Sequence, residues 1–198
     1  MNRTLLIAIM AVVAILLTSC EKEDSQPVPY ENDGISFSHF SDWSVEKDGP
    51  VEGKVGIRSI SLRGPDSAVM VVLRVPRDTD QTLEDFADAV AQRRGAAIES
   101  TLQVGSFKAA TADIGTSKHI EIPIGASTFP AIRQNFSIVL LGQESPHEAT
   151  FVMLLSNKAK LLIMTQVGTR HSSETKPSFQ KVLDTLDVDH AKWTNAMQ

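Results

Sequence analysis

The sequence predicts an α+β sandwich, an antiparallel or mixed sheet carrying two principal helices. Three observations lead to it. Strand-length apolar runs punctuated by turn residues fill Val55 to Val75 and Thr101 to Val167. Between them, Thr82 to Gly95 has the spacing and charge of an amphipathic helix. Near the end, Phe179, Val182, Leu183 and Leu186 fall at i, i+3, i+4 and i+7, the stripe of a second helix.

The chain opens on an address. Arg3 gives a positive n-region, Leu5 to Leu17 are 13 uninterrupted apolar residues, and Thr18 and Ser19 put small side chains before Cys20. These are the parts of a secretory signal over residues 1–19. A retained membrane span needs more length: 13 helical residues reach roughly 20 Å, against a hydrocarbon core of about 30 Å. Leu17-Thr18-Ser19-Cys20 resembles a lipobox, which implies cleavage between Ser19 and Cys20 and lipidation of the Cys20 thiol. The membrane is then a partner through the N-terminal lipid, and two or more acyl chains make a stable anchor. Glu21, where an aspartate would favour retention, points to the outer membrane over the inner. Residues 20–29 are polar and charged with Pro27 and Pro29, and read as a lipidated flexible tether.

The folded part is expected over residues 30–189, with 190–198 a C-terminal tail. Gly34 to Phe37 alternates as a short strand does, and Trp43 with Val45 supplies another, followed by the turn signal Asp48-Gly49-Pro50. Val55 to Leu62 and Ala68 to Val75 form a strand pair around Arg63-Gly64-Pro65-Asp66. The first breaks alternation near Arg58-Ser59, which fits a bulge. The second is nearly continuously apolar, as a central strand covered on both faces is. Thr82 to Asp85 has the pattern of a capping box. Glu84, Asp85 and Asp88 crowd the first turns, Arg93 and Arg94 the last, and Gly95 takes the place of a C-terminal cap. Strands are then expected at Leu102–Phe107, Ala109–Ile114, His119–Ile124, Ala131–Leu141, Phe151–Leu155 and Leu161–Val167, with Ser156-Asn157-Lys158 a hairpin turn. The closing helix starts around Thr175-Lys176-Pro177, its proline in the first turn.

Removing residues 1–19 leaves 179, the length of one domain and enough to bury a proper core. Formal net charge is −5, or −6 once Arg3 leaves with the signal, and no basic stripe is present, which argues against nucleic acid. Cys20 is the single cysteine, so after lipidation none remains for a disulfide, a zinc thiolate or thiol catalysis.

The order of the elements is similar to that of the PsbP-like/Mog-like fold, and particularly of bacterial DcrB-like envelope lipoproteins. It runs from the Gly34-Ile35-Ser36-Phe37 strand through the Trp43 strand, two long strands, the capped helix Thr82 to Gly95 and a β meander. The Phe179-x-x-Val182-Leu183-x-x-Leu186 helix closes it, over about Tyr30 to Val188. The resemblance implies an α/β/α sandwich with a mostly antiparallel sheet, serving as a binding or docking module without a common active site. One departure stands out: members of the family carry a proline shortly before the tryptophan, and His39-Phe40-Ser41-Asp42-Trp43 has none.

Catalytic equipment is not spelled out. His39, His119, His147, His171 and His190 are in no metal-spaced cluster. His119 and Glu121 share a strand face and can meet there, although two solvated side chains explain them as well; His147-Glu148 are neighbours in sequence. Gly125-Ala126-Ser127-Thr128-Phe129 ends in the wrong residue for a nucleophile elbow, and no phosphate-binding glycine loop is present. Glu84, Asp85 and Asp88 read as a solvated helix face, Arg93-Arg94 as a helix terminus, and Phe40 and Trp43 as core. No catalytic, cofactor or metal residue is therefore expected. The expected function is non-enzymatic: a membrane-anchored protein-binding or scaffold module of the bacterial cell envelope, facing the periplasm, whose partner is an envelope protein. The alternative is a carrier or sensor of a small apolar ligand, with Met153, Leu155, Leu162 and Met164 lining its pocket.

Overall fold

The computed structural model describes residues 26–101, 103–104, 107–108 and 110–188, so the signal, Ser19, Cys20, His190 and the C-terminal tail lie outside the described residues. The chain forms β1 (Pro27–Asn32), β2 (Ile35–Phe40), β3 (Ser44–Pro50), β4 (Arg58–Arg63), β5 (Val69–Pro76) and α1 (Leu83–Thr101). There follow β6 (Gln103–Val104), β7 (Phe107–Lys108), β8 (Ala110–Ile124), β9 (Ser127–Leu140), β10 (Gln143–Leu155), β11 (Ala159–Gly168), α2 (Ser172–Thr185) and β12 (Asp187–Val188). Among the described residues, seven strands make the main sheet in the order β3-β4-β5-β11-β10-β9-β8, each neighbour antiparallel. β1, β2 and β12 make a smaller sheet.

β11 lies at the middle of the main sheet, and its alternate side chains enter different layers. Leu161, Ile163 and Val167 pack with Phe179, Val182, Leu183 and Leu186 around α2. Leu162 and Met164 pack with Leu83, Phe86 and Ala87 of α1. The sheet therefore lies between two helices, an α/β/α sandwich, and each fully buried Leu or Ile contributes about 1.5–3 kcal/mol relative to exposure. β5 behaves as a central strand should: Met70 and Val72 face the α2 layer while Val71 and Leu73 face α1.

Several boundaries differ from the sequence reading, each for a physical reason. Pro27 to Pro29 belong to β1, paired with β2, so regular structure begins within the segment 20–29 that the sequence reads as a tether. β1 is an edge strand, where a missing N–H is tolerated. Asp48-Gly49-Pro50 ends β3 instead of forming a turn, and the bulge is in β3 between Val45 and Lys47 instead of at Arg58-Ser59. Val55 is 98% exposed in the turn before β4. The capping box forms as read: the Thr82 N–H donates to Asp85 Oδ2 and the Asp85 N–H to Thr82 Oγ1, both at 3.1 Å. α1 nevertheless runs through Gly95 to Thr101. Arg94 accordingly serves no helix end. Its guanidinium lies 3.8 Å from the Phe136 ring centroid, Nη1 donates to Gln134 Oε1 at 3.2 Å, and burial pushes its pKa down to about 10. α2 begins at Ser172, which places Pro177 inside the helix; the Ser173 carbonyl loses its helical donor, and Ser173 is exposed to water.

Antiparallel connectivity sorts the connections to two ends. The far end holds the β3–β4 turn, the β5–α1 loop, Gly125-Ala126 and Ser156-Asn157-Lys158. The entry end holds Gly64 to Ala68, the Leu141-Gly142 turn and Thr169 to His171. Trp43 marks the entry end: its ring lies against Gly64 and edge-on to Phe179, with centroids 5.2 Å apart. Two residues earlier the Ser41 N–H donates to the Gln26 carbonyl at 3.1 Å, so the described chain enters here. The β8–β9–β10 strands continue past β11. β10 leaves β11 at His147–Gly168, while its pairing with β9 runs on from Phe136 to Leu140.

Candidate binding groove at the far end

Lys160 sets the mouth of a groove. Its side chain is buried in the β11 register opposite Val75, and its Nζ donates to the Thr79 and Gln81 carbonyls at 2.6 and 3.0 Å. Arg77 Nη1 reaches the Ser156 carbonyl at 2.5 Å, and the capping box fixes the first turn of α1. The loop between β5 and α1 is thus clasped to the β10–β11 turn. Between this loop and β8–β10 opens a groove of about 730 Å³. Leu83, Ile120, Pro130 and Met153 supply apolar surface; Asp80, Glu84, His119 and Glu121 stand at its rim. Pro130 fits because the β9–β10 register stops at Ala131, leaving Pro130 paired on the β8 side alone. With Lys160 committed to two carbonyls, the rim is acidic.

The sequence candidates separate in space. His119 and Glu121 do share the groove wall, both exposed, with no hydrogen bond between them among the described residues. Glu84 is on the rim, whereas Asp85 is spent on the cap, where the Thr82 donors hold its carboxyl below the usual range. Of the four apolar residues offered for a pocket, Met153 lines the groove while Leu162 and Met164 are core beneath α1. Trp43 is core and Phe40 half-buried against it. His39 is buried with Nδ1 2.8 Å from the Phe40 carbonyl, and His147 stacks on Phe136 at 5.2 Å. Glu148 points to the opposite face, toward Arg133 at 3.4 Å and Lys176 at 3.5 Å.

Two groupings escaped the sequence because their members are far apart in it. Asp66, His171 and Glu174 bring potential ligand atoms within 4.8 Å of one another, with His171 3.3 Å from Asp66; a solvent-exposed polar contact accounts for them. Asp48 gathers the second. Arg58 donates to it twice at 2.7 Å, Asn32 at 2.5 Å, and the Tyr30 hydroxyl also donates, while Arg58 reaches Asp33 at 2.6 Å. Hydrogen bonds from Arg58 hold the Asp48 carboxyl down at about 2, against the opposing effect of burial. Burial and the Asp48 contact raise the Tyr30 hydroxyl, and the same contact raises Arg58. This network ties β1 to β3 and β4, and so the small sheet to the large one.

No family model and no curated protein matches the chain. Solved structures do. The chain is similar to PsbP (CyanoP) of Synechocystis sp. PCC 6803. That likeness has 15% identity and a TM-score of 0.45, covering 87% of this chain and 99% of that one. LpqN of Mycobacterium tuberculosis, described as involved in cell envelope biogenesis, is similar at 13% identity and a TM-score of 0.37, over 82% of this chain and 90% of LpqN. PA94 of Pseudomonas aeruginosa, a protein of unknown function, is similar at 16% identity and a TM-score of 0.32, over 81% of this chain and 95% of that one. No residue role passes from them to this chain.

Proposed function

We propose that this chain is a non-enzymatic, lipid-anchored binding module of the bacterial cell envelope, held through Cys20 and facing the periplasm. The observation that carries the reading is the open groove, apolar along Leu83, Ile120, Pro130 and Met153 and acidic at Asp80, Glu84 and Glu121. That chemistry suits an apolar side chain of a protein partner flanked by Lys or Arg. Recognition divides as it does at interfaces generally, with apolar contact giving affinity and the charged rim giving partner choice. The tether supports it by confining the module near the membrane, which raises its effective concentration toward envelope proteins. Support for the address comes from the Arg3, Leu5–Leu17 and Cys20 pattern.

The test is native mass spectrometry of the full chain gently extracted from its own membranes, beside the double variant Glu84→Lys/Glu121→Lys. Both positions are exposed, so the fold is preserved. The expected result is a stoichiometric protein complex for the wild type and on the order of tenfold weaker association for the variant. A discrete small added mass would replace this reading with the carrier, whose support is Met153 at the groove. A complex indifferent to the charge reversal would remove the groove from recognition.

A further inference from the structure

The entry end carries an apolar projection that packing does not explain. Leu140 is 45% exposed and Leu141 71%, at the tip of the β8–β9–β10 extension, and Ile114 is 47% exposed at its base. Leu140 and Ile114 share one face, since Leu140 pairs with Ala110 and Phe136 with Ile114. Leu141 is the outermost, in the two-residue turn to Gln143. It adopts φ 50°, the left-handed region that a leucine enters only at a steric cost.

We propose that this hairpin tip touches the lipid bilayer, as a second membrane contact beside the acyl anchor; the inference rests on the reading of Cys20 as lipidated. Position argues for lipid over any other occupant. The described chain begins at Gln26, which is bonded to Ser41 beside Trp43 and Gly64, at the same end as the tip. From Cys20 to Gln26 are six residues, a reach of at most roughly 20 Å. The tip extends four residues beyond the last β10–β11 pair, roughly 13 Å. A bilayer within reach of the tether is therefore within reach of Leu141. Between Val139 and Ser145 the tip carries one charge, Glu144, and no base, so the contact is apolar and needs no anionic lipid.

The experiment uses the full lipidated chain in phosphatidylcholine vesicles. Cys20 is the single cysteine and its thiol is occupied by lipid, so an environment-sensitive fluorophore reports only from an introduced thiol. Leu141→Cys reports from the tip, Leu140→Cys from the strand end beside it as a second position, and Val55→Cys from the far end. The expected result is blue-shifted emission, quenched by doxyl-labelled lipid, at 141 and 140 but not at 55. Water-like emission at 141 and 140 overturns the proposal, and so does a blue shift that doxyl lipid leaves unquenched, which reports a protein surface. Intact mass of the same sample separates the two readings. A chain with its lipid and a wet tip refutes the tip alone, whereas a chain without lipid refutes the anchor and takes this inference with it.

Discussion

Asp33-Gly34 and Leu141-Gly142 each close a two-residue hairpin turn with both residues at positive φ, 49° and 75° in the first, 50° and 81° in the second. Asp-Gly is the sequence such a turn prefers, and Leu-Gly is not. Leu141→Asn should therefore raise the unfolding free energy read from urea titration by about 1 kcal/mol, while weakening contact with vesicles. Gly64 presents the opposite constraint, one of space. A Cβ there would lie 2.3 Å from Trp43 Cε2. Gly64→Ala is expected to cost about 1–3 kcal/mol in chemical denaturation followed by tryptophan fluorescence. Asp48 gives the protein an acid-sensitive joint. Its carboxyl, near 4 in the unfolded chain by its ordinary value of about 3.9, is held at about 2 when folded. A lowered folded value adds stability above the unfolded pKa and loses it as pH falls from about 4 to about 2. The stability gap between wild type and Asp48→Asn, read from urea midpoints, should thus shrink on acidification across that window.

Among the elements, α1 is the one whose start matters most to the groove. Thr82→Ala removes the acceptor for the Asp85 N–H and should cost about 1 kcal/mol, with faster hydrogen exchange in the first turn of α1. That cap was legible because its two partners are three residues apart. Phe179, Val182, Leu183 and Leu186 were legible for the same reason, a local spacing that burial then uses. The long strands were less so. β8 is an edge strand with His119, Lys118 and most of its neighbours in water, so its 15 residues show no continuous alternation and read as two pieces. Its bulge after Ile114 hides another constraint: Gly115 lies where a Cβ would come within 2.7 Å of the Asn135 carbonyl oxygen. Gln143 to Ser145, at the start of β10, are polar and belong to the projecting extension beyond the His147–Gly168 pair, so no apolar pattern announces that end of the strand. Arg94 misled through its own chemistry, since a base near a helix end normally serves the dipole and this one lies over Phe136.

At the scale of the whole molecule, the groove and the tip occupy opposite ends of the sandwich, so the proposed membrane contact and the proposed recognition surface do not compete for one face. Cys20→Ala should move the chain from the membrane to the soluble fraction on carbonate-free flotation; equal membrane binding would refute the anchor. No described helix is long and apolar enough to cross a bilayer. The groove could be found in the sequence only in part: His119, Glu121 and Met153 were visible as candidates, but their meeting with Asp80 and Leu83 depends on the Lys160 clasp across the sheet. β12 has one more consequence. Asp187 and Val188 pair with Ser36 and Ile35, and Thr185 Oγ1 accepts from the Ser38 N–H at 2.8 Å, so the first strands are finished by the last. A chain emerging amino end first, from a ribosome or a translocation channel, must hold Ile35 and Phe37 uncovered until its final residues arrive. Such long-range closure is slow and exposes apolar strands meanwhile. The protein's most vulnerable moment is therefore the interval before β12 emerges, when β2 lacks its last partner strand.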